Sequence, residues 1–210
     1  MSIISIIGTG SMASALADRA LAGGNEVEII GRDATKAKEL AAALGGATAA
    51  PAGAAPAGEI VILAVPYASA VAVIGQYGDA LDGKVIVDIT NPITADLSGF
   101  LTPQGTFGAQ EIAEAAPAGA LVVKAFNTLP SEVLAAGSAE GRPLDVFIAG
   151  DDAQAKEGVS ALVESLGMRP LDTGPLAMAR ALEHATLLHL GLVAHSVKHT
   201  NFFLGVSILS

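Results

Sequence analysis

The stretch SIISIIGTGSMASALADRALAGGNEVEIIGRD, residues 2–33, decides the fold of this chain. It opens with an apolar run that ends in a glycine, which predicts a buried strand over residues 2–8. Apolar residues at helical spacing follow, until two glycines stop the pattern. A second apolar run predicts another strand over residues 25–31. A strand, a helix and a strand within roughly thirty residues indicate a parallel βαβ unit.

The rest of the chain repeats this alternation. Further apolar runs predict strands over residues 59–65, 84–90, 120–128, 144–152 and 168–174, with helices between most of them. The predicted fold class is therefore α/β, with a doubly wound, mostly parallel sheet of the Rossmann type. The residues from Pro175 onward carry little polarity and are predicted to be helical. We place a boundary between a main domain, 1–143, and a small, largely helical C-terminal domain, 144–210, which would contribute a substrate cleft and dimer contacts.

The turn after the first strand carries the spacing G-x-G-x-x-A at Gly8, Gly10 and Ala13. Between a strand and a helix, this spacing is typical of a dinucleotide-binding turn. Gly8 allows the tight turn, Gly10 lets the backbone approach a pyrophosphate, and Ala13 lets helix and strand pack closely. The helix N-terminus then offers free N–H groups to the anion. The alternative, in a chain with 24 glycines, is a glycine turn that binds no nucleotide.

The end of the second predicted strand indicates which dinucleotide would bind. Sites that prefer NAD usually place Asp or Glu there, against the ribose 2′-hydroxyl. This chain has Gly31, which leaves room for a 2′-phosphate that a carboxylate would repel. Arg32 follows with a guanidinium that suits a phosphate, and Lys36 lies one helical turn further on. These residues predict a site for the 2′-phosphate of NADP. Two alternatives stay open: Arg32 and Lys36 are solvated charges, or Asp33 binds the ribose instead of capping the next helix.

Ligands of doubly wound sheets bind at the carboxyl ends of the strands, which nominates the loops after residues 65, 90, 124 and 150. Pro66 and Pro92 stiffen two of these loops against a flat ring. Asn91 and Asn127 can hydrogen-bond a carboxamide or a second substrate, although both also suit turns. Lys124 is a single charge in an apolar strand; it pairs with Asp88, touches a substrate or extends from the strand end.

Composition excludes several functions. The 210 residues carry a formal net charge of −10, which argues against a nucleic-acid binder, and they contain no cysteine. The start lacks the positive segment of a secretory signal, and a cytoplasmic location is expected. Residues 60–78 carry no formal charge and mimic a membrane span, but Pro66 splits them into a predicted strand and helix. No membrane association is predicted.

Hydrolytic and metal chemistry are poorly supported. His195 and His199 are spaced to share a helix face, but no third ligand accompanies them, so no metal site is predicted. The other two histidines, at 184 and 189, precede them in the same C-terminal segment. No nucleophile elbow appears, and we name no catalytic side chain.

These motifs resemble one family nearly from end to end. IIGTGSMA, IIGRDATKA, VILAVPY, VDITNP, VVKAFNT, FIAGDD and LGMRPLDTGPLAMARALE, in this order, are similar to the F420-dependent NADP reductases. A more distant resemblance is to the NADPH-binding reductase domain of the STEAP metalloreductases. The resemblance implies that Thr9, Arg32 and Lys36 hold NADP, and that a hydride passes between nicotinamide and the deazaflavin coenzyme F420. The family often has Ser or Thr where this chain has Gly31, so one hydrogen bond to the phosphate would be missing.

The sequence leaves the acceptor open. A flavin, a ferric complex or an imine are alternatives to the deazaflavin, and a non-catalytic NADP(H) sensor is an alternative to an enzyme. We expect a small-molecule redox partner and a homodimer formed through residues 185–197, which carry no formal charge. The predicted cofactor-binding residues are Gly8, Thr9, Gly10, Ser11, Met12, Ala13, Gly31, Arg32, Lys36, Ala64, Val65, Pro66, Asn91, Pro92, Ala125 and Asn127.

Overall fold

The computed structural model describes residues 3–139 and 141–209. Its strands are β1 Ile3–Ile7, β2 Glu26–Gly31, β3 Thr48–Pro51, β4 Ile60–Leu63, β5 Val85–Asp88, β6 Leu121–Lys124, β7 Ser138–Ala139, β8 Arg142–Pro143, β9 Asp145–Gly150 and β10 Arg169–Asp172. Its α-helices are α1 Ser11–Ala22, α2 Ala34–Leu44, α3 Tyr67–Tyr77, α4 Gly108–Ala115, α5 Ser131–Ala136, α6 Ala153–Ser165 and α7 Ala179–Leu192.

Eight strands form one sheet in the order β10-β9-β6-β5-β4-β1-β2-β3. All neighbouring pairs are parallel except β6 and β9, which are antiparallel. The predicted doubly wound, mostly parallel sheet is confirmed. The strand order reverses between β1 and β4, and a crevice for a ligand opens beyond the carboxyl ends of the strands at such a point.

Alternate residues of the central strands supply two apolar cores, one on each face of the sheet. Ile60 and Ile62 of β4 join the core formed with α1, α2, α5 and α6. Val61 and Leu63 join the core formed with α3, α4 and α7. A strand buried on both faces is apolar at every position, which explains why its sequence mimics a membrane span. Within the described residues, no helix has the length and apolar character needed to cross a bilayer.

Three local expectations were wrong or incomplete. The strand β3 lies in an Ala- and Gly-rich run where no strand was predicted, and α5 was missed as well. The helix predicted from Pro175 onward ends early: α7 stops at Leu192, one π-helical turn follows, and residues 198–209 are irregular. The reason is tertiary: the Val206 N–H donates to Asp145 and the Val206 carbonyl accepts from Arg169, which hold this tail, residues 198–209, against β9 and β10.

The C-terminal strands extend the main sheet, because β9 pairs with β6 and β10 pairs with β9. The division at residue 143 stays a prediction. Ser2, at the start of the first predicted strand, and Ser210, at the end of the predicted terminal helix, lie outside the described residues.

Candidate functional site

The glycine turn between β1 and α1 is built by close backbone packing. Gly8 has φ of 140°, a conformation that side chains rarely adopt, and its N–H donates to the Ile30 carbonyl at 2.8 Å. A Cβ atom at Gly8 would lie 2.1 Å from the Ala64 carbonyl oxygen. The glycine at this position is therefore required by the fold itself.

Gly10 differs from Gly8. It has an ordinary φ of −84°, and a Cβ atom there would meet nothing within 4 Å. It occupies the N-cap of α1, and no side chain caps the helix. The first N–H groups of α1 are therefore available to an anion that approaches over the open surface of Gly10.

A cleft of about 330 Å³ opens at this turn. Eight of the predicted residues line it: Gly8, Thr9, Gly10, Gly31, Arg32, Ala64, Val65 and Pro66. Sequence analysis missed the opposite wall, where Ser69, Val73, Gln76 and Tyr77 come from α3. Their spacing of four, three and one places them on one helix face, a signal that the sequence did contain.

Arg32 is the only charged residue among those that line the cleft in the described part of the chain. Its side chain is exposed. The Asp33 carboxylate instead accepts from the N–H groups of Thr35 and Lys36, at 2.9 and 3.3 Å, which confirms the interpretation that it caps α2. Lys36 is exposed in the first turn of α2 but does not line the cleft, and its contact with a phosphate stays a prediction.

Gly31 is matched to Thr9. A Cβ atom at Gly31 would lie 2.8 Å from the Thr9 methyl and 3.1 Å from the Ala37 Cβ. The sequence analysis treated Gly31 as a position that leaves room for a phosphate. The structure shows that the Thr9 methyl already lies beside it, so the glycine permits the close approach of Thr9 to the end of β2.

The remaining predicted residues lie outside the cleft. Ser11, Met12 and Ala13 form the first turn of α1, where Ala13 is fully buried and Met12 packs against the core. Ala125 is also fully buried, and Pro92 is buried beside the start of α4. Binding by these residues stays a prediction.

Asn91 and Asn127 lie side by side and hydrogen-bond each other, whereas the sequence predicted hydrogen bonds to a ligand. The Asn91 amide donates to the Asn127 carbonyl at 2.9 Å, and the Asn127 amide donates to the Asn91 side-chain oxygen at 3.0 Å. Asn127 also donates to the Leu182 carbonyl and to the Thr186 hydroxyl of α7. Asn127 is thus a buried link between two strand-end loops and α7.

Lys124 is the centre of a buried ion cluster, which consists of Asp88, Lys124 and Glu183. The Lys124 ammonium donates to the Asp88 carboxylate at 2.8 Å and to the Glu183 carboxylate at 3.1 Å. Its third bond goes to the Thr90 carbonyl at 2.6 Å. All three side chains of the cluster are at most 1% exposed. The predicted pairing with Asp88 is confirmed, whereas Glu183 was not foreseen.

Comparison with known proteins decides the family. A family described as NADP oxidoreductase, coenzyme F420-dependent, matches residues 3–92. The chain is 33% identical to the F420-dependent NADP reductase of Methanothermobacter marburgensis, over 91% of this chain and 92% of that protein. The chain belongs to the F420-dependent NADP reductase family.

Two further comparisons agree with this family. A solved structure of a putative F420-dependent NADP reductase from Arthrobacter superposes with a TM-score of 0.86, at 27% identity, and covers 98% of this chain and 99% of that one. The metalloreductase STEAP3 of Rattus norvegicus is 32% identical over 86% of this chain, but the match covers only 35% of that protein. As a member of this reductase family, the chain is an oxidoreductase.

The dinucleotide of the family's name fits the residues present. A pyrophosphate needs open backbone and free N–H groups, and Gly10 and the first turn of α1 supply both. A 2′-phosphate needs a cation and no facing carboxylate, and the cleft lining supplies Arg32 without Asp or Glu. The residues of the cleft therefore suit NADP.

The C-terminal histidines do not form the arrangement that their spacing indicates. His195 lies in the π-helical turn, and Lys198, with φ of 60°, ends the helix before His199, so the two do not share a helix face. His189 is buried and stacks on Phe202 of the tail, with ring centroids 4.1 Å apart. Burial lowers the pKa of His189, which favours its neutral form. Among the described residues, no three His, Asp or Glu side chains are placed to hold a metal ion.

Proposed function

We propose that this reductase binds NADP(H) in the cleft and passes a hydride between nicotinamide and a deazaflavin of the coenzyme F420 type. The observation that carries the proposal is the cleft itself: the Gly8–Gly10 turn leads to Arg32, and none of the described carboxylates lines the path between them. The names of the relatives, which cover most of this chain at about one-third identity, support the same pair of substrates.

Each part of the dinucleotide has an assigned partner. The first N–H groups of α1 and the open face of Gly10 would hold the pyrophosphate. Arg32, helped by Lys36 from the first turn of α2, would hold the 2′-phosphate with hydrogen bonds to a charged acceptor. The loops after β4, β5 and β6, with Pro66, Asn91 and Asn127, would face the nicotinamide half.

The chemistry asks little of acid–base side chains. The overall reaction moves one hydride from NADPH to the deazaflavin, which also gains a proton from water, or runs in reverse. The chain contributes position and exclusion of water, because the reactive carbons belong to the two substrates. Among the residues that the structure describes, the cleft lining combines apolar side chains with a few polar ones and contains no His, Asp or Glu, which suits this role.

A direct assay tests the proposal. The protein is mixed with NADPH and, separately, with a deazaflavin, a flavin, an imine or a ferric complex, and loss of the absorbance of reduced nicotinamide is followed. We expect the fastest oxidation with the deazaflavin and a much slower one when NADH replaces NADPH. Faster turnover with another acceptor would replace the deazaflavin in the proposal, and tight NADPH binding without any turnover would favour a sensor.

The partners and location remain proposals. The small-molecule acceptor follows from the family, whereas the homodimer was expected from the absence of formal charge in residues 185–197. The exposed Leu188 on α7 supports a contact through this segment. Sedimentation at micromolar concentration tests the dimer, and replacement of Leu188 by Asp is expected to weaken it. The cytoplasmic location rests on the absence of cysteine and stays a prediction.

A further inference from the structure

Glu183 joins three elements that are distant in the sequence. Its carboxylate accepts from Lys124 of β6 at 3.1 Å and from the N–H groups of Gly108 and Ala109, at 3.1 and 3.2 Å. These two N–H groups belong to the first turn of α4, whose N-terminus favours a negative charge. Glu183 thus fixes α7 to the sheet and to α4 through one carboxylate that is 1% exposed.

The ion cluster also forms hydrogen bonds with the backbone of the loop that follows β5. The Thr90 N–H donates to the Asp88 carboxylate at 2.8 Å, and the Thr90 carbonyl accepts from Lys124 at 2.6 Å. Both backbone groups of Thr90 are therefore held by charged side chains, which make stronger hydrogen bonds than neutral groups do. The next two residues, Asn91 and Pro92, begin the loop that the proposed function assigns to nicotinamide.

Pro92 lies close to Gly108, the first residue of α4, whose N–H donates to Glu183. A Cβ atom at Gly108 would lie 3.0 Å from the Glu183 carboxylate and 3.2 Å from the Pro92 ring. Glu183, the first residue of α4 and Pro92 therefore form one packed group. Glu183 is thus connected to the loop by two routes, through Lys124 to the Thr90 carbonyl and through the start of α4 to Pro92.

Anchoring α7 does not by itself require buried charges. A buried ion cluster is often no more stabilising than apolar side chains of similar volume, because its charges lose their hydration. Apolar side chains could not, however, make the hydrogen bonds that fix the N–H and the carbonyl of Thr90. The cluster lies at the carboxyl ends of β5 and β6, beside the proposed nicotinamide loop, and none of its members lines the cleft around Arg32.

We propose that Glu183 is a positioning residue for hydride transfer, which fixes the Thr90–Pro92 loop through Lys124 and the start of α4. The inference rests on the proposed function. Two properties then depend on different residues. The Gly8–Arg32 side of the cleft determines the affinity for the dinucleotide, and Glu183 determines how rigidly the nicotinamide end is positioned. Loss of its carboxylate would then lower kcat and leave dinucleotide affinity nearly unchanged.

The test compares Glu183→Gln with Glu164→Gln, which removes the same charge from an exposed position of α6. Glutamine keeps the size but points one N–H donor at the backbone donors of α4. For Glu183→Gln we expect a Kd for NADPH within about threefold of the wild type and a kcat lower on the order of 10²-fold. The fluorescence lifetime of bound NADPH should fall toward that of free NADPH, because its ring is less ordered. Glu164→Gln should match the wild type in the Kd for NADPH, in kcat and in the fluorescence lifetime.

Gly108→Ala keeps the test decisive if Glu183→Gln does not fold. Alanine suits a helix start and removes no charge, but its methyl would press on Glu183 and Pro92. The same signature, a lower kcat and a shorter lifetime at nearly constant Kd, is expected. An unchanged kcat and lifetime in a folded variant of either kind, or a Kd that rises as much as kcat falls, would overturn the inference.

The two proposals fail in different ways. If the wild type oxidises NADPH with none of the acceptors, the proposed function fails. The lifetimes of bound NADPH in the wild type and in the variants still decide whether Glu183 orders the nicotinamide end. If the wild type does turn over but the variants equal it, only the role of Glu183 is wrong.

Discussion

The two halves of the carboxyl edge of the sheet are built in opposite ways. At β1, β2 and β4, backbone groups of glycines and one exposed arginine form an open cleft. At the ends of β5 and β6, three buried charged side chains form one hydrogen-bonded cluster, and two asparagines form a separate hydrogen-bonded pair. Both regions join distant parts of the chain: Gly8 packs on the Ala64 carbonyl, and Lys124 and Glu183 are separated by 59 residues. In the first region the contact is made by backbone, and in the second by charged side chains. The comparison teaches that one edge of this sheet combines two kinds of surface. One side offers open backbone to a ligand, and the other side is held rigid by hydrogen bonds between side chains.

The largest effect should come from the ion cluster. Replacement of Lys124 by Met leaves Asp88 and Glu183 buried without their partner, which is expected to cost about 3–5 kcal/mol of unfolding free energy. Lys156→Met, which breaks the more exposed pair with Asp172, should cost less than about 1 kcal/mol. Urea denaturation of both variants measures the difference. Equal losses would show that the buried network is no more critical than a surface pair.

The two glycines of the turn should respond differently to the same change. Gly8→Ala places a methyl against the Ala64 carbonyl at a φ of 140°, and a loss of about 3 kcal/mol or more in unfolding free energy is expected. Gly10→Ala meets no atom of the protein and should change the stability by less than about 1 kcal/mol. It should nevertheless weaken NADPH binding, because the methyl stands where the pyrophosphate would approach. Calorimetry measures the affinity. If Gly10→Ala binds NADPH as tightly as the wild type, the pyrophosphate does not bind at this turn.

Arg32 should control the choice of dinucleotide. Arg32→Gln removes a charged partner of the 2′-phosphate, a contact worth roughly 1.5–3 kcal/mol, so the Kd for NADPH should rise on the order of 10- to 100-fold. The Kd for NADH should stay nearly constant, since NADH lacks this phosphate. Lys38→Gln is the matched control, because Lys38 is exposed on the same segment and does not line the cleft. Parallel weakening of both dinucleotides by Arg32→Gln would disprove a phosphate-specific role.

The smallest effect concerns the tail, far from both halves of the edge. Burial by itself would raise the pKa of Asp145, but hydrogen bonds from Arg169 and the Val206 N–H hold it below its ordinary value. Because the folded pKa is depressed, this contribution is present above the unfolded pKa of Asp and is lost as the pH falls through the folded pKa. Asp145→Asn should therefore speed hydrogen exchange of the Val206 amide at neutral pH. In the wild type, acidification slows the intrinsic exchange of every amide, so the expected signature is a lower protection factor of Val206, which is its exchange rate compared with that of the unfolded chain at the same pH.

The control for the tail is Asp172→Asn on the neighbouring strand. Asp172 pairs with Lys156 and accepts from the Gly174 N–H, and it has no hydrogen bond to the described residues of the tail. Its replacement should leave the exchange of the Val206 amide unchanged. If both variants speed the exchange equally, a general loosening of β9 and β10 is responsible, and Asp145 does not hold the tail.

Sequence analysis succeeded where a local rule forces the conformation. The glycine turn, the cap by Asp33 and the alternation of strands and helices each depend on neighbouring residues, and the structure confirms them. The pairing of Lys124 with Asp88 was also foreseeable, because the two face each other in neighbouring parallel strands. It failed for Glu183 and for the tail, whose partners come from parts of the chain that no local pattern brings together.

By itself, the sequence determined the sheet apart from its edge strand β3, the glycine turn and the cationic residue beside that turn, because strand periodicity and helix capping act over a few residues. Only the tertiary structure decided that Asn127 supports α7 and the Asn91 loop, and that Thr9 fills the space beside Gly31. It likewise decided where the last helix stops. The physical reason is that buried polar groups must find hydrogen-bond partners wherever the packed chain offers them, and those partners lie far away in the sequence.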